Sequence, residues 1–275
     1  MRTLALFNDS SPEACNAAEF ALSIAQKVKA DILILNLCQV TQDKVPRSIA
    51  GGEQVAVANE EEAFDLVAHL CDSVVPGDFR PVISEVDASS YAEKDICELI
   101  IRKNIWMMIK GIETHLTHDI LSSINVQAVL NHVASPLLLV PDNYHKKDFE
   151  NITYAVDMRY CRKAVVKFLG ELAHCYGANL VIEHFSAKDL PHLDNNYARS
   201  LFATEVIDKI NYKKVFFNNI KERNLDVAMD VMVNDLHADL LALVNHRFHF
   251  EELFGRSINN VLPEHIPVPV IIFPL

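Results

Sequence analysis

The decisive stretch of the sequence is Ile152-Thr153-Tyr154-Ala155-Val156-Asp157, a short apolar run that ends in an aspartate. The chain has already used the same pattern once, at Thr3-Leu4-Ala5-Leu6-Phe7-Asn8-Asp9. An amphipathic helix pattern follows each run, at residues 12–29 and at residues 161–176. A cycle of strand and helix that restarts in mid-chain indicates an internal repeat.

The parallel extends along both halves of the chain. The same elements recur in the same order in the two halves. The second strands are predicted at 32–37 and 180–185, the third at about 81–87 and 214–219, and the fourth at 105–109 and 240–244. The helices between them are predicted at about 54–73 and 196–211, and at about 91–103 and 224–237. Near-continuous apolar strands that alternate with helices are typical of a parallel sheet covered on both faces. We therefore predict two tandem doubly wound, Rossmann-like α/β domains, at 1–141 and 151–275, each with a five-stranded, mostly parallel sheet.

The composition favours a protein of the cytoplasm that does not bind nucleic acid. The net charge is −12, and residues 1–145 alone carry 10 Lys and Arg against 20 Asp and Glu. Such a surface repels a phosphate backbone. No apolar run approaches the roughly 18 residues of a membrane span, and the first residues turn polar too soon for a signal peptide. The six cysteines form no C-x-x-C pair, so we expect a cytoplasmic protein with no membrane partner.

Both halves resemble the universal stress protein family, in a tandem form. The resemblance lies in the aspartates that end the first strands, Asp9 and Asp157, and in the phrase Val129-Leu130-Asn131-His132-Val133-Ala134-Ser135-Pro136-Leu137-Leu138-Leu139-Val140, of which 261–273 looks like a second copy. The family contains nucleotide binders and non-binders. For the binders, the resemblance implies an adenine or ribose contact at the aspartate and an anion site after the fourth strand. ATP, another adenine nucleotide or another small anion is therefore the candidate ligand.

The anion site of the ATP-binding members has glycine, two residues, glycine, nine residues, glycine, and then serine or threonine. Glycines let backbone N–H groups approach phosphate oxygens closely. In the first half Gly111 matches the first glycine, but Thr114 stands at the second position and Ser123 near the third. We therefore expect no tight ATP binding to the first half, in which Asp9 and Gly111 are the matching residues.

The second half departs from the family pattern in another way. Val244 and Arg247 stand where the first two glycines would be, whereas the third glycine is present. The residues that we expect to bind an anion or a nucleotide in this half are Asp157, His246, Gly255, Arg256 and Ser257. The alternatives are a solvated loop whose phenylalanines pack under the last helix, and aspartates that cap the turns before the next helix.

The sequence contains no motif for catalysis. It has no G-x-S-x-G elbow, no G-x-x-x-x-G-K-[ST] loop and no H-E-x-x-H pattern, and we predict no metal site. We expect a non-enzymatic stress-response or regulatory protein that acts by binding a small molecule or an unidentified protein partner. The alternatives are an ATP-binding, weakly hydrolysing stress sensor and a structural pseudo-dimer with vestigial nucleotide clefts.

The last strands of the two halves, Leu137–Val140 and Val270–Phe273, are short and strongly apolar, and prolines flank both of them. A bare edge strand exposes unpaired N–H and C=O groups. The family resemblance implies that such strands pair across a two-fold axis in dimers. We therefore predict an intramolecular pseudo-dimer in which the two last strands pair antiparallel, with further homodimerisation left open.

Overall fold

The computed structural model describes residues 1–38, 65–74, 77–113, 124–145, 148–187, 190–222, 224–246, 248–254, 258, 262 and 266–275. The strands among them are β1 (Arg2–Asn8), β2 (Ala30–Asn36), β3 (Ile83–Asp87), β4 (Met107–Ile112), β5 (Leu137–Pro141), β6 (Asn151–Val156), β7 (Asn179–Phe185), β8 (Val215–Ile220), β9 (Leu240–Val244) and β10 (Val270–Phe273). The α-helices are α1 (Pro12–Val28), α2 (Leu66–Asp72), α3 (Glu93–Arg102), α4 (Val126–Leu130), α5 (Lys163–Tyr176), α6 (Asn195–Glu205), α7 (Leu225–Asp230) and α8 (Phe248–Phe254).

Helix α1 illustrates why the predicted helices form. The Ser11 hydroxyl caps the helix by accepting a hydrogen bond from the N–H of Ala14, and Pro12 fits the first turn, where no N–H is needed. Small and apolar residues along one face are buried against the sheet. Lys29 ends the helix in the left-handed region at φ 55°, and in the second half Gly177 ends α5 in the same way at φ 65°. The two first helices thus end alike, although α5 has no side-chain cap at its N-terminus.

All ten strands belong to one sheet, in the order β3-β2-β1-β4-β5-β10-β9-β6-β7-β8. Every neighbouring pair is parallel except β5 and β10, which run antiparallel with Leu138 opposite Ile271. The predicted α/β class is confirmed, because two five-stranded parallel portions are joined through their last strands. Each portion has the strand order of a doubly wound fold.

The strand register defines equivalent positions in the two halves. Gly111 of β4 lies opposite Val140 of β5, and Val244 of β9 lies opposite Phe273 of β10. Val140 and Phe273 each stand four residues after the proline that precedes their strand. Gly111 and Val244 are therefore equivalent, as the sequence comparison predicted.

Two apolar layers cover the sheet, one on each face, and both contain residues of both halves. In one layer the ring of Phe149 lies 5.8 Å from that of Phe20 in α1 and 4.7 Å from that of Tyr176 in α5. The other layer contains Leu139 and Ile272 of the two last strands. Because the halves share both layers, the domain limits at 1–141 and 151–275 stay a prediction.

Some predicted helices are shorter than expected. The helix expected at 196–211 ends with α6 and continues as a 3₁₀ turn at Ile207–Lys209, and the one expected at 224–237 changes from α7 to a π-helical turn at Val231–Asp235. Most of the helix expected at 54–73 lies outside the described residues, and α2 forms its end. No helix in the described part of the chain combines the length and the apolar composition needed to cross a bilayer.

Candidate functional site

The candidate clefts lie where the strand order reverses. In the first half the chain passes from β1 to β2 on one side and later returns to β4 on the other, and β6, β7 and β9 repeat this path. Loops that leave such neighbouring strands diverge, and the crevice between them is the usual ligand position in open α/β sheets. The structure places Asp9 and Asp157 at these two points, directly after β1 and β6.

Asp9 forms a buried ion pair at the first reversal point. The Nζ atom of Lys110 in β4 lies 3.1 Å from Asp9 Oδ2, and the two side chains are 9% and 11% exposed. The hydroxyl and the backbone N–H of Ser11 donate to Asp9 Oδ1 over 2.6 and 3.2 Å. Burial raises the pKa of Asp9, but Lys110 and Ser11 outweigh it and hold the pKa below its usual value. The carboxylate is therefore ionised and already paired.

Gly111 follows Lys110 in β4, and its lack of a side chain has a packing reason. A Cβ atom at this position would lie 2.2 Å from the carbonyl oxygen of Glu13, in the first turn of α1. Glycine therefore lets α1 lie directly on β4. This contact explains the glycine without a ligand, so its role beside a phosphate stays a prediction. Thr114 and Ser123, which replace the other family glycines, lie outside the described residues.

Asp157 is satisfied by donors of the chain itself. Its side chain is 2% exposed. The guanidinium of Arg159 donates to both carboxylate oxygens, over 2.9 Å from Nε and 2.5 Å from Nη2. The backbone N–H groups of Arg159 and Ala187 add bonds of 3.1 and 3.0 Å. Burial raises the pKa of Asp157, but these hydrogen bonds outweigh it, so the pKa lies below its usual value.

A small cavity lies beside Asp157, between the ends of β6 and β9. Its volume is about 20 Å³, which is room for about one water molecule. The lining residues are Tyr154, Ala155, Val156, Asp157, Tyr160, Leu243, Val244, His249 and Phe250. Five of these nine residues are aliphatic or phenylalanine, and the other four are Asp157, His249 and two tyrosines.

His249 of α8 is the unusual polar residue of this cavity. Its Nε2 atom lies 2.9 Å from the carbonyl oxygen of Phe185, so Nε2 carries the proton and Nδ1 is an acceptor. Burial lowers the pKa of His249 to about 4, so the ring is neutral at pH 7. Nδ1 is buried and has no hydrogen-bond partner among the described residues. The cavity is thus lined by a neutral imidazole whose second nitrogen is buried.

The residues after β9 contact the first half of the chain. Oδ1 of Asn131, at the end of α4, accepts from Gln127 Nε2, Asn245 Nδ2 and His246 Nε2 over 2.9, 2.9 and 3.0 Å. Asn245 is fully buried, and its Oδ1 also accepts from Gln127 over 3.0 Å. His246 adopts the left-handed region at φ 51°. The predicted ligand residue His246 is therefore part of a polar contact between the halves.

The remaining predicted ligands of the second half, Gly255, Arg256 and Ser257, lie outside the described residues. Sequence reasoning missed Lys110, Arg159 and Asn131 as partners. Lys110 did leave a signal, because a single charge inside an apolar strand needs a buried partner. Within the described residues, no group of three His, Cys, Asp or Glu side chains is placed to hold a metal ion.

With the fold and both reversal points defined, the molecule belongs to a recognisable structural class, the universal-stress-type α/β fold. A universal stress protein from Archaeoglobus fulgidus DSM 4304 matches with a TM-score of 0.57 at 14% identity, over 99% of this chain and 98% of that one. The fold class that the sequence predicted is thus shown by a solved structure that matches along nearly the whole length of both chains.

Two further solved structures share this fold along nearly the whole chain. A functionally unknown protein from Pseudomonas aeruginosa PAO1 has a TM-score of 0.54 at 13% identity, over 100% of this chain and 92% of that one. The cytoplasmic domain of a prokaryotic cation chloride cotransporter has a TM-score of 0.51 at 10% identity, with coverages of 99% and 94%. No protein-family model matches the sequence, and no curated protein matches it. At these identities the likeness is one of fold.

Proposed function

We propose that the chain is a cytoplasmic, non-enzymatic regulatory protein of the universal stress type that acts by binding another protein. One observation carries this proposal: the carboxylates at both reversal points are already paired with cations of the same chain, Asp9 with Lys110 and Asp157 with Arg159. These are the carboxylates that the family resemblance assigns to an adenine or ribose contact. Because both carboxylates already bind cations of the same chain, the surface of the molecule is a better candidate for the binding function than the two clefts.

The energies favour this interpretation. Breaking a buried ion pair costs about 3–5 kcal/mol when one partner is removed, and a nucleotide that recruited either carboxylate would have to offset such a loss. In the second half it would also have to enlarge a cavity of about 20 Å³. An ATP-binding, weakly hydrolysing sensor is the competing hypothesis. A structural pseudo-dimer with vestigial clefts is a third hypothesis.

A thermal-shift titration with ATP, ADP and AMP in the presence of Mg²⁺ separates the first two hypotheses. A ligand at 100 times its dissociation constant adds about 2.7 kcal/mol of stability, which corresponds to a rise in Tm of roughly 5–11 °C for a chain of this size. We expect no such rise at millimolar nucleotide. A dose-dependent rise that is lost in the variant Asp157→Asn would contradict the proposal and favour the nucleotide sensor.

A further inference from the structure

Strand β8 forms one end of the sheet, and half of its backbone groups face away from β7. The N–H of Leu180 in β7 donates to the carbonyl oxygen of Lys214 over 2.9 Å. In a parallel ladder the residues that bond to the neighbouring strand alternate with residues whose groups point the other way. The outward groups of β8 are therefore those of Val215, Phe217 and Asn219, and no described residue pairs with them.

The opposite end of the sheet, β3, is protected in a way that β8 is not. Ile83 of β3 lies opposite Ile32 of β2, and Val215 of β8 lies opposite Leu180 of β7, so Ile83 and Val215 are equivalent. The positions of β3 that match Phe217 and Asn219 are Glu85 and Asp87, both exposed. Inward or outward charges on an edge strand discourage another strand from pairing with it.

The interior of β8, Val215–Ile220, contains no charge, proline or glycine. Phe216 is 50% exposed on this strand. Edge strands of this composition pair readily with an extended segment, which adds main-chain hydrogen bonds and places alternate side chains against the sheet. Among the described residues, the sheet thus has one edge guarded by charged side chains, β3, and one open edge, β8.

Lysines flank the open edge, and they indicate what it accepts. Lys213 and Lys214 precede β8, Lys221 follows it, and all three are exposed. Antiparallel pairing of two copies centred on Phe217 would place Lys213 opposite Lys221 twice, and like charges directly opposite each other are destabilising. An acidic extended segment would instead meet a cation at each end of the strand.

We propose that the β8 edge binds an extended acidic segment of a partner protein by strand addition. This inference rests on the proposed function, for which it names the surface and the chemistry of the partner. Main-chain pairing with Val215, Phe217 and Asn219 provides the affinity. Phe216 contacts apolar side chains of the segment, and Lys213 and Lys221 select acidic ones.

The test is fluorescence polarisation with a fluorescein-labelled nonapeptide in which valine and glutamate alternate, compared with the same peptide carrying lysine for glutamate. Asn219→Pro removes one outward N–H and leaves the β7 ladder intact, whereas Asn219→Thr keeps that N–H and loses the same amide side chain. We expect the acidic peptide to bind, the lysine peptide to bind at least about tenfold more weakly, and Asn219→Pro to weaken the acidic peptide by about tenfold. Asn219→Thr should change the dissociation constant less than about twofold.

Hydrogen exchange on the unmodified protein gives a second measurement that does not depend on how a proline variant folds. The amides of Val215, Phe217 and Asn219 should become protected when the acidic peptide is added. Any of three results would overturn the proposal: no binding up to about 1 mM peptide, unchanged exchange at these amides, or equal affinity for both peptides. Concentration-dependent assembly that depends on Phe216 would also overturn it, because the occupant would then be a second copy of this chain. Peptide binding together with a nucleotide-induced rise in Tm would overturn the proposed function and leave the edge assignment standing.

Discussion

Replacing Lys110 by methionine tests the buried ion pair most directly. The change keeps an unbranched side chain one atom shorter than lysine and removes the ammonium that lies 3.1 Å from Asp9 Oδ2. The carboxylate would then remain 11% exposed, with Ser11 as its remaining donor among the groups that bond to it. Breaking a buried pair in this way costs about 3–5 kcal/mol of the free energy of unfolding. For a chain of this size the loss corresponds to a fall in Tm of roughly 6–20 °C.

Urea unfolding followed by far-UV circular dichroism measures this loss, and its pH dependence has a defined sign. The pKa of Asp9 in the folded protein lies below its usual value of 3.8, so the stabilisation is complete above that value and is lost as the pH falls through the folded pKa. In Lys110→Met the pKa of Asp9 should rise, so the penalty shrinks on acidification. The double variant Asp9→Asn/Lys110→Met should regain about half of the loss or more, and the exposed control Lys103→Met should stay within about 0.5 kcal/mol. A loss below about 1 kcal/mol in Lys110→Met, or equal losses in the single and double variants, would refute the assignment.

Three further predictions concern packing and protonation. Glu183 is fully buried, and burial raises its pKa above the usual 4.5. Between the unfolded and the folded pKa the folded form keeps a proton that the unfolded chain has released, so stability should fall as the pH rises across that interval. Glu183→Gln should abolish this slope in unfolding curves recorded upward from pH 4.5. Leu138→Asp buries a carboxylate at the junction of the last strands and should cost more than about 3 kcal/mol, and an unchanged Tm would contradict the role of this junction. Gly111→Ala places a Cβ atom 2.2 Å from the carbonyl oxygen of Glu13 and should lower the Tm sharply, whereas Gly170→Ala, whose nearest contact is 3.4 Å, should be neutral or gain up to about 1 kcal/mol. Similar Tm values for the two alanine variants would show that the close approach at Gly111 has no energetic consequence.

The features that sequence could predict are those that repeat. The restart at residue 151 predicted the repeated succession of strands and helices in each half. The apolar last strands predicted their antiparallel pairing, which the structure shows with Leu138 opposite Ile271. Both inferences depend on periodic patterns in residue type, which local physics converts directly into strands and helices. The equivalence of Gly111 and Val244 followed from the same comparison.

The sequence alone could not predict which side chains bind one another at the reversal points. Lys110 and Asp9 are separated by about a hundred positions in the chain, and only the parallel pairing of β1 with β4 brings them together. The contacts of Asn131 with Asn245 and His246 depend on how the two halves meet. Amides and histidines are common on surfaces, so nothing in their local sequence marks them as partners. Gly111 was interpreted through phosphate chemistry, whereas the close approach of Glu13 gives it a packing role.

The joining of two similar halves in one polypeptide has an evolutionary consequence. A dimer of identical subunits must carry every substitution twice, once on each side of its symmetry axis. Here each half can change alone, and Lys110 has Leu243 as its counterpart, while Glu85 has Phe217. Selection can therefore keep one edge strand guarded against aggregation while the other edge diverges toward recognition. One polypeptide can therefore keep the same sheet while a single edge strand changes its sequence.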